Sequence, residues 1–177
     1  MGDLVKKTKV VPFINTGTST NPTWTQIKKS TTFTLTMNPQ TKTFDFISSE
    51  TPQNEIDSYQ PSLAQSLTMF KGEPDYEEIF GMLYNRATGA EAHRDILIVF
   101  YKEQAEMKGD DDASATTVYK AWKVDSLVTI NQMDTVNENI DFDIALNDIV
   151  NGAVKGEAGN VEFIEGTFSG ETFTAKS

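Results

Sequence analysis

The chain has 177 residues, 38% of them hydrophobic and 23% charged, enough to fold as one domain with a real core and no covalent staples. It contains no cysteine, which excludes disulfides, thiolate metal sites and a cysteine nucleophile. Its net charge of −11 repels nucleic-acid phosphates and argues against direct duplex binding.

Residues 1–22 read as an arm. They combine Lys6, Lys7 and Lys9 with a T-G-T-S-T-N-P run and few periodic apolar residues. The opening M-G-D-L-V-K-K-T-K-V-V-P-F-I has no long apolar run, and no later segment reaches the length of a membrane span. A protein made and folded in a cytosol is the expectation. Pro22 then precedes T-W-T-Q-I, a short strand. From Ser30 to Met37 the chain alternates, with Phe33, Leu35 and Met37 on one face and Thr32, Thr34 and Thr36 on the other, the pattern of a strand buried on one side. Asn38-Pro39-Gln40 signals a turn, and T-K-T-F-D-F-I follows as a strand with Phe44 and Phe46 on one face. Residues 48–62 are polar, carry two prolines and exceed a tight turn, so a long functional loop is predicted there. Leu63 to Phe70 is the next strand.

One helix stands out. Pro74 suits the first helical position, and Asp75, Glu77 and Glu78 lie in the first turn, where the helix dipole favours acids. Tyr76, Ile79, Phe80 and Leu83 form an apolar stripe, and Gly89 is the candidate residue just past the end. Burying four such side chains contributes roughly 6–12 kcal/mol as an upper figure. Residues 95–101, D-I-L-I-V-F-Y, read as a central strand buried on both faces. A polar loop is predicted over 103–117. Tyr119 to Gln132 is a long strand with Trp122, Val124, Val128 and Ile130 on one face. Residues 133–139 make a bend into Ile140–Asp148, where Ile140, Phe142, Ile144 and Leu146 alternate with Asp141, Asp143, Ala145 and Asn147. The organisation predicted is an arm at 1–22, a β-sandwich domain at 23–150 and an extension at 151–177, whose V-E-F-I and G-E-T-F-T are candidates for an edge strand. No internal repeat is present.

Charge is uneven along the chain. Residues 1–42 set six lysines against Asp3, a balance of +5, whereas residues 101–150 set four lysines against eleven acids, a balance of −7. Head-to-tail complementarity between copies and a plain solvated surface are both compatible with this split.

Little in the chain points to catalysis. His93 is the one histidine, stands in R-A-T-G-A-E-A-H-R and is read as a surface residue rather than a general base. There is no G-x-S-x-G, H-E-x-x-H or Gly-rich phosphate loop. Asp110, Asp111 and Asp112 are consecutive, so their side chains diverge and lack the spacing of a calcium loop; no metal or cofactor site is expected. Asp141 and Asp143 share a strand face with no apolar pocket to raise one pKa, so they read as a polar surface rather than an acid pair.

The order of these elements resembles the major tail tube protein of long-tailed, siphovirus-type bacteriophages over about residues 24–150. The resemblance rests on T-F-D-F-I-S-S-E-T-P-Q-N-E-I-D-S-Y-Q-P-S-L-A-Q-S-L-T-M-F, on the helix P-D-Y-E-E-I-F-G-M-L-Y, and on A-W-K-V-D-S-L-V-T-I-N-Q-M-D running into D-F-D-I-A-L. It implies a mainly β fold, an antiparallel sandwich or barrel-like sheet flanked by one short helix. It also implies a virion protein without enzymatic activity that forms stacked rings of six, in which the sheets of neighbouring subunits join around a channel for DNA. Partners implied are further copies of the chain, a tape-measure protein and a tail terminator. DNA would pass without specific binding, and no membrane is involved. Residues expected to face the lumen are Thr32, Thr34, Asp125, Thr129, Asp141, Asp143 and Asn147. Glu50, Glu55, Asp57 and Tyr59 in the long loop are expected to reach a neighbouring subunit. The alternatives are the tube of a contractile tail or injector, and a monomeric host-attachment module.

Overall fold

The computed structural model describes residues 2–108, 115–156 and 160–177. The predicted Asp110–Asp112 loop lies outside them. Three long antiparallel strands form the spine: β7 (His93–Lys108), β8 (Ala115–Asp134) and β9 (Asn139–Lys155). Each serves two layers along its length. At one end, β6 (Ser62–Thr68) pairs with the first half of β9, and β3 (Ser30–Thr36) pairs with β6. On the other flank β1 (Val10–Asn15) pairs with the first half of β7, and β2 (Trp24–Gln26) with β1. At the far end β10 (Glu162–Ser169) pairs with β9, and β11 (Thr172–Ala175) pairs with β10. β11 then runs parallel to β7 at Glu106 and Met107, which closes β7-β8-β9-β10-β11 into a barrel. The molecule is mainly β, with 60% strand and 11% helix, as the alternation implies.

The main core lies between the first-half sheet and the helix α1 (Pro74–Asn85). Ile79 and Met82 press onto Ile96, Ile98, Val124, Val128, Ile140, Phe142 and Ile144. The helix is turned relative to the predicted stripe. Asp75 is buried and accepts hydrogen bonds from the Lys28 N–H and the Tyr76 N–H, both at 2.9 Å, which pins the 75/79/82 line downward. Tyr76 and Leu83 are half-buried against the core, while Phe80 stacks between Tyr76 and Tyr84 at centroid separations of 5.6 and 6.2 Å. The helix also stops before Gly89: Arg86 takes the left-handed conformation at φ 50° and its N–H returns to the Leu83 carbonyl.

Four further expectations are corrected. Within the expected arm, Val10–Asn15 is a strand with Val11–Asn15 buried, because V-V-P-F-I-N has apolar side chains for both faces of the sheet. Of the loop expected at 103–117, the described residues 103–108 and 115–117 are strand. Ala105 is the buried side chain of residues 103–108, and the core around it is completed from elsewhere by Val118, Ala153 and Phe173, so the apolar signal within this stretch is faint. The extension past 150 supplies two strands, one of which closes the barrel rather than forming an edge. The loop expected at 48–62 contains β5 (Gln53–Tyr59), paired with β4 (Pro39–Phe44) in a separate two-stranded sheet.

Candidate assembly surface

The first-half sheet contains a four-stranded block, β3-β6-β9-β8, with faces of opposite character. On one face the cross-strand row Thr32–Ser66–Asp141–Gln132 lies beside Thr34–Ala64–Asp143–Thr129. On the other face run Phe33–Gln65–Phe142–Ile130 and Leu35–Leu63–Ile144–Val128, of which Phe142, Ile130, Leu35, Leu63, Ile144 and Val128 share a core with Ile79 and Met82 of the helix. Alternation in each strand, kept in phase by the pairing, produces both faces.

Five of the seven residues expected on a channel wall, Thr32, Thr34, Thr129, Asp141 and Asp143, therefore come together on one polar face. Asp141 is half-buried and accepts hydrogen bonds from Ser66 Oγ at 2.6 Å and Gln132 Nε2 at 2.5 Å. Asp143 is exposed and accepts one from Asn131 Nδ2 at 2.8 Å. Asp125 and Asn147 sit farther along, beyond the end of β6. Asp125 is aligned with Asp95 on β7 and Asp148 on β9, and Asn147 is the extra residue where the β8–β9 register shifts. His93 is exposed, with Nδ1 3.5 Å from Asp125 Oδ1. No group of three or more His, Asp or Glu side chains among the described residues is arranged to hold a metal ion.

The block has two open edges. Among the described residues β3 pairs with β6 alone, and from Val128 to Asp134 β8 pairs with β9 alone because β7 begins opposite Leu127. Beside the β8 edge a groove of about 570 Å³ is lined by Met82, Leu83, Arg86, Val128 and Ile130, among others. Phe33 and Met37, on the core-facing side at the β3 edge, are each 37% exposed.

The β4–β5 hairpin projects from the end of β3 and β6 and, among the described residues, pairs only with itself. Asn38, at φ 44°, turns the chain out, and its carbonyl accepts the Gln60 N–H at 3.3 Å. Glu50, Glu55, Asp57 and Tyr59 are all exposed on this hairpin. So are Phe46, Ile47 and Ile56, and the Phe44 and Phe46 rings stack at 5.5 Å. Six paired residues give a reach of about 20 Å.

At the other end of the block, Asp134 closes the β8–β9 turn. The N–H groups of Asn137 and Val136 and the Asn137 amide all donate to its carboxylate, which holds it below the usual carboxylate range. Sequence reasoning missed the open β8 edge, since nothing in Val128–Asp134 announces that β7 stops short of it. It also missed the Ser66 and Gln132 donors, which reach Asp141 only through cross-strand register.

No family model matches the chain, and no curated protein matches it. Among solved structures it is similar to a chain in the cryo-EM structure of an extracellular contractile injection system, the PVC sheath-tube complex in its extended state. That similarity has 10% identity and a TM-score of 0.45 over 85% of this chain and 93% of the other, a score at which likeness carries no functional argument.

Proposed function

We propose that this chain is a structural subunit that assembles edge to edge into rings, that the rings stack as a tail tube, and that the channel conducts DNA without binding it specifically. The observation that carries the reading is the β3-β6-β9-β8 block, with one apolar face, one acidic polar face and two open edges of seven residues each (30–36 and 128–134). An even number of antiparallel strands makes the two outer strands run in opposite directions. Copies related by rotation about an axis along the strands then meet as an antiparallel pair, which closes a heterologous contact into a ring. Joining also covers edges that otherwise invite uncontrolled pairing.

In that arrangement Thr32, Thr34, Thr129, Asp141 and Asp143 line the lumen, with Asp125 and Asn147 towards its mouth. Like charge keeps DNA off the wall and lets it slide. The six-fold number and the tube itself come from the resemblance to tail tube proteins. The hairpin supports the same reading: a two-stranded hairpin is marginal alone in water, and this one exposes Phe46, Ile47, Ile56 and Tyr59. It is assigned to contacts with a neighbouring ring.

The test uses the absence of cysteine. Single cysteines are placed in turn along β3 and β8, paired as Thr34→Cys with Thr129→Cys or a neighbouring position. The protein is oxidised and run under denaturing conditions, beside electron micrographs of the unmodified chain. The expected result is a ladder of cross-linked species ending at the ring number, with rings or tubes in the micrographs. A protein that stays monomeric at high concentration, with no cross-link at any pair, refutes the reading.

A further inference from the structure

Gln65 is 3% exposed, and neither its Nε2 nor its Oε1 has a hydrogen-bond partner among the described residues. It lies in the core-facing row between Phe33 on β3 and Phe142 on β9, one strand in from the open edge. A buried amide left unpaired costs free energy that an aliphatic side chain would not. Its Oε1 accepts from a donor such as a guanidinium.

A candidate donor lies at the opposite edge. Arg86 ends the helix on the same core-facing side of the sheet and lines the groove beside Val128 and Ile130. Its side chain is exposed, and among the described residues only its backbone N–H is engaged, with the Leu83 carbonyl. If β3 of one copy pairs with β8 of the next, the strand separation of about 4.8 Å puts β6 about 10 Å from the partner's β8. From the groove wall, Arg86 of one copy would approach β6 of the next across the partly exposed Phe33 ring, where it gains a cation–π contact.

We infer that Gln65 and Arg86 form a lock between copies: the guanidinium of one copy passes over Phe33 of the next and donates to the buried Gln65 amide. The inference rests on the edge-to-edge reading above and adds to it what sets the register. β3 is rich in threonine and alternates too regularly to resist a two-residue slip. A single buried polar group satisfied in one register only would discriminate against the others.

The lock predicts opposite effects of one substitution on two measurements. Gln65→Leu removes the orphaned amide, so the dilute, unassembled chain should melt at a higher temperature than wild type. The same change leaves Arg86 without its acceptor, so the concentration at which rings form should rise about tenfold or more. Arg86→Met should raise the ring-forming concentration similarly while leaving the monomer's melting temperature unchanged. The double variant should be no worse than the poorer single one, because both remove one contact. Gln65→Leu rings forming at the wild-type concentration, or fully additive losses in the double variant, overturn the lock and leave the tube reading intact. A wild-type chain that forms no ring overturns both.

Discussion

At the scale of single residues, close approach and hydrogen bonding decide which positions tolerate change. Gly152 on β9 faces the Phe163 ring, and a Cβ there would lie 2.6 Å from Phe163 Cζ and against the Ile164 carbonyl. Gly152→Ala should therefore cost about 1–3 kcal/mol in denaturant unfolding through overpacking. A loss below about 0.5 kcal/mol would mean that the Ile164 backbone and the Phe163 ring both give way freely. The carboxylates of the polar face separate by the same logic. Asp141 is held by Ser66 and Gln132, so Asp141→Lys would strand two donors and confuse folding with charge. Asp143 and Asp125 are exposed, and the Asp125–His93 pair is a surface pair worth little. Asp125→Lys with Asp143→Lys should leave stability within about 1 kcal/mol and tubes intact, yet slow DNA delivery by particles that carry the change. Unaltered delivery from normal tubes would remove the electrostatic argument for an acidic wall.

At the scale of elements, the hairpin and the turns make separable predictions. β4 and β5 bury almost nothing against the body, so replacing residues 41–57 by an Asn-Gly turn between Gln40 and Ser58, which already pair, should shift unfolding by less than about 1 kcal/mol. The shortened chain should remain folded and fail to make long tubes; normal tubes would exclude the hairpin from inter-ring contact. The hydrogen bonds to Asp134 give the β8–β9 turn an expected pH dependence. Asp134 is depressed in the folded state by its three donors, so its contribution is present above the unfolded carboxylate pKa. It is lost as pH falls through the lower folded value. Asp134→Ala should flatten that acid limb of stability relative to wild type. These elements also show what the sequence disclosed. Strict alternation at 30–37 and 140–147, and the acid-capped helix, were legible because each carries its own period. β1 was not, since V-V-P-F-I-N is short and follows a run of lysines. The second half of β7 was not, because Ala105 is the only buried residue in K-E-Q-A-E-M-K. Register was beyond reach, so Thr32 and Asp141 could be expected on one face, but the Ser66–Asp141–Gln132 hydrogen bonds could not.

At the scale of the whole molecule, two electrostatic effects would oppose each other in the proposed assembly, and their balance is measurable. The basic first 42 residues and the acidic 101–150 invite head-to-tail attraction, while a net charge of −11 on every copy resists it. Two of the six lysines in the basic stretch lie over rings of their own chain, Lys29 over Phe70 and Lys42 over Phe44, each at 5.2 Å. Lys6, Lys7 and Lys9 are exposed, where an ion pair with a neighbour is worth about 0–1 kcal/mol. Repulsion, by contrast, would act between all copies and converge on the proposed channel, where Asp141 and Asp143 of every subunit would face one another. Screening shortens from about 30 Å at 0.01 M salt to about 3 Å at 1 M, which removes long-range repulsion while leaving apolar edge contacts such as Phe33 and Met37 untouched. The ring-forming concentration should therefore fall as salt rises from about 0.05 to 0.5 M, read by light scattering or sedimentation. A threshold that rises with salt would instead make lysine–carboxylate contacts between copies the driving force. In that case Lys6→Glu with Lys7→Glu should abolish assembly, whereas under the repulsion-limited account the pair only raises the threshold at low salt and has little effect at 0.5 M.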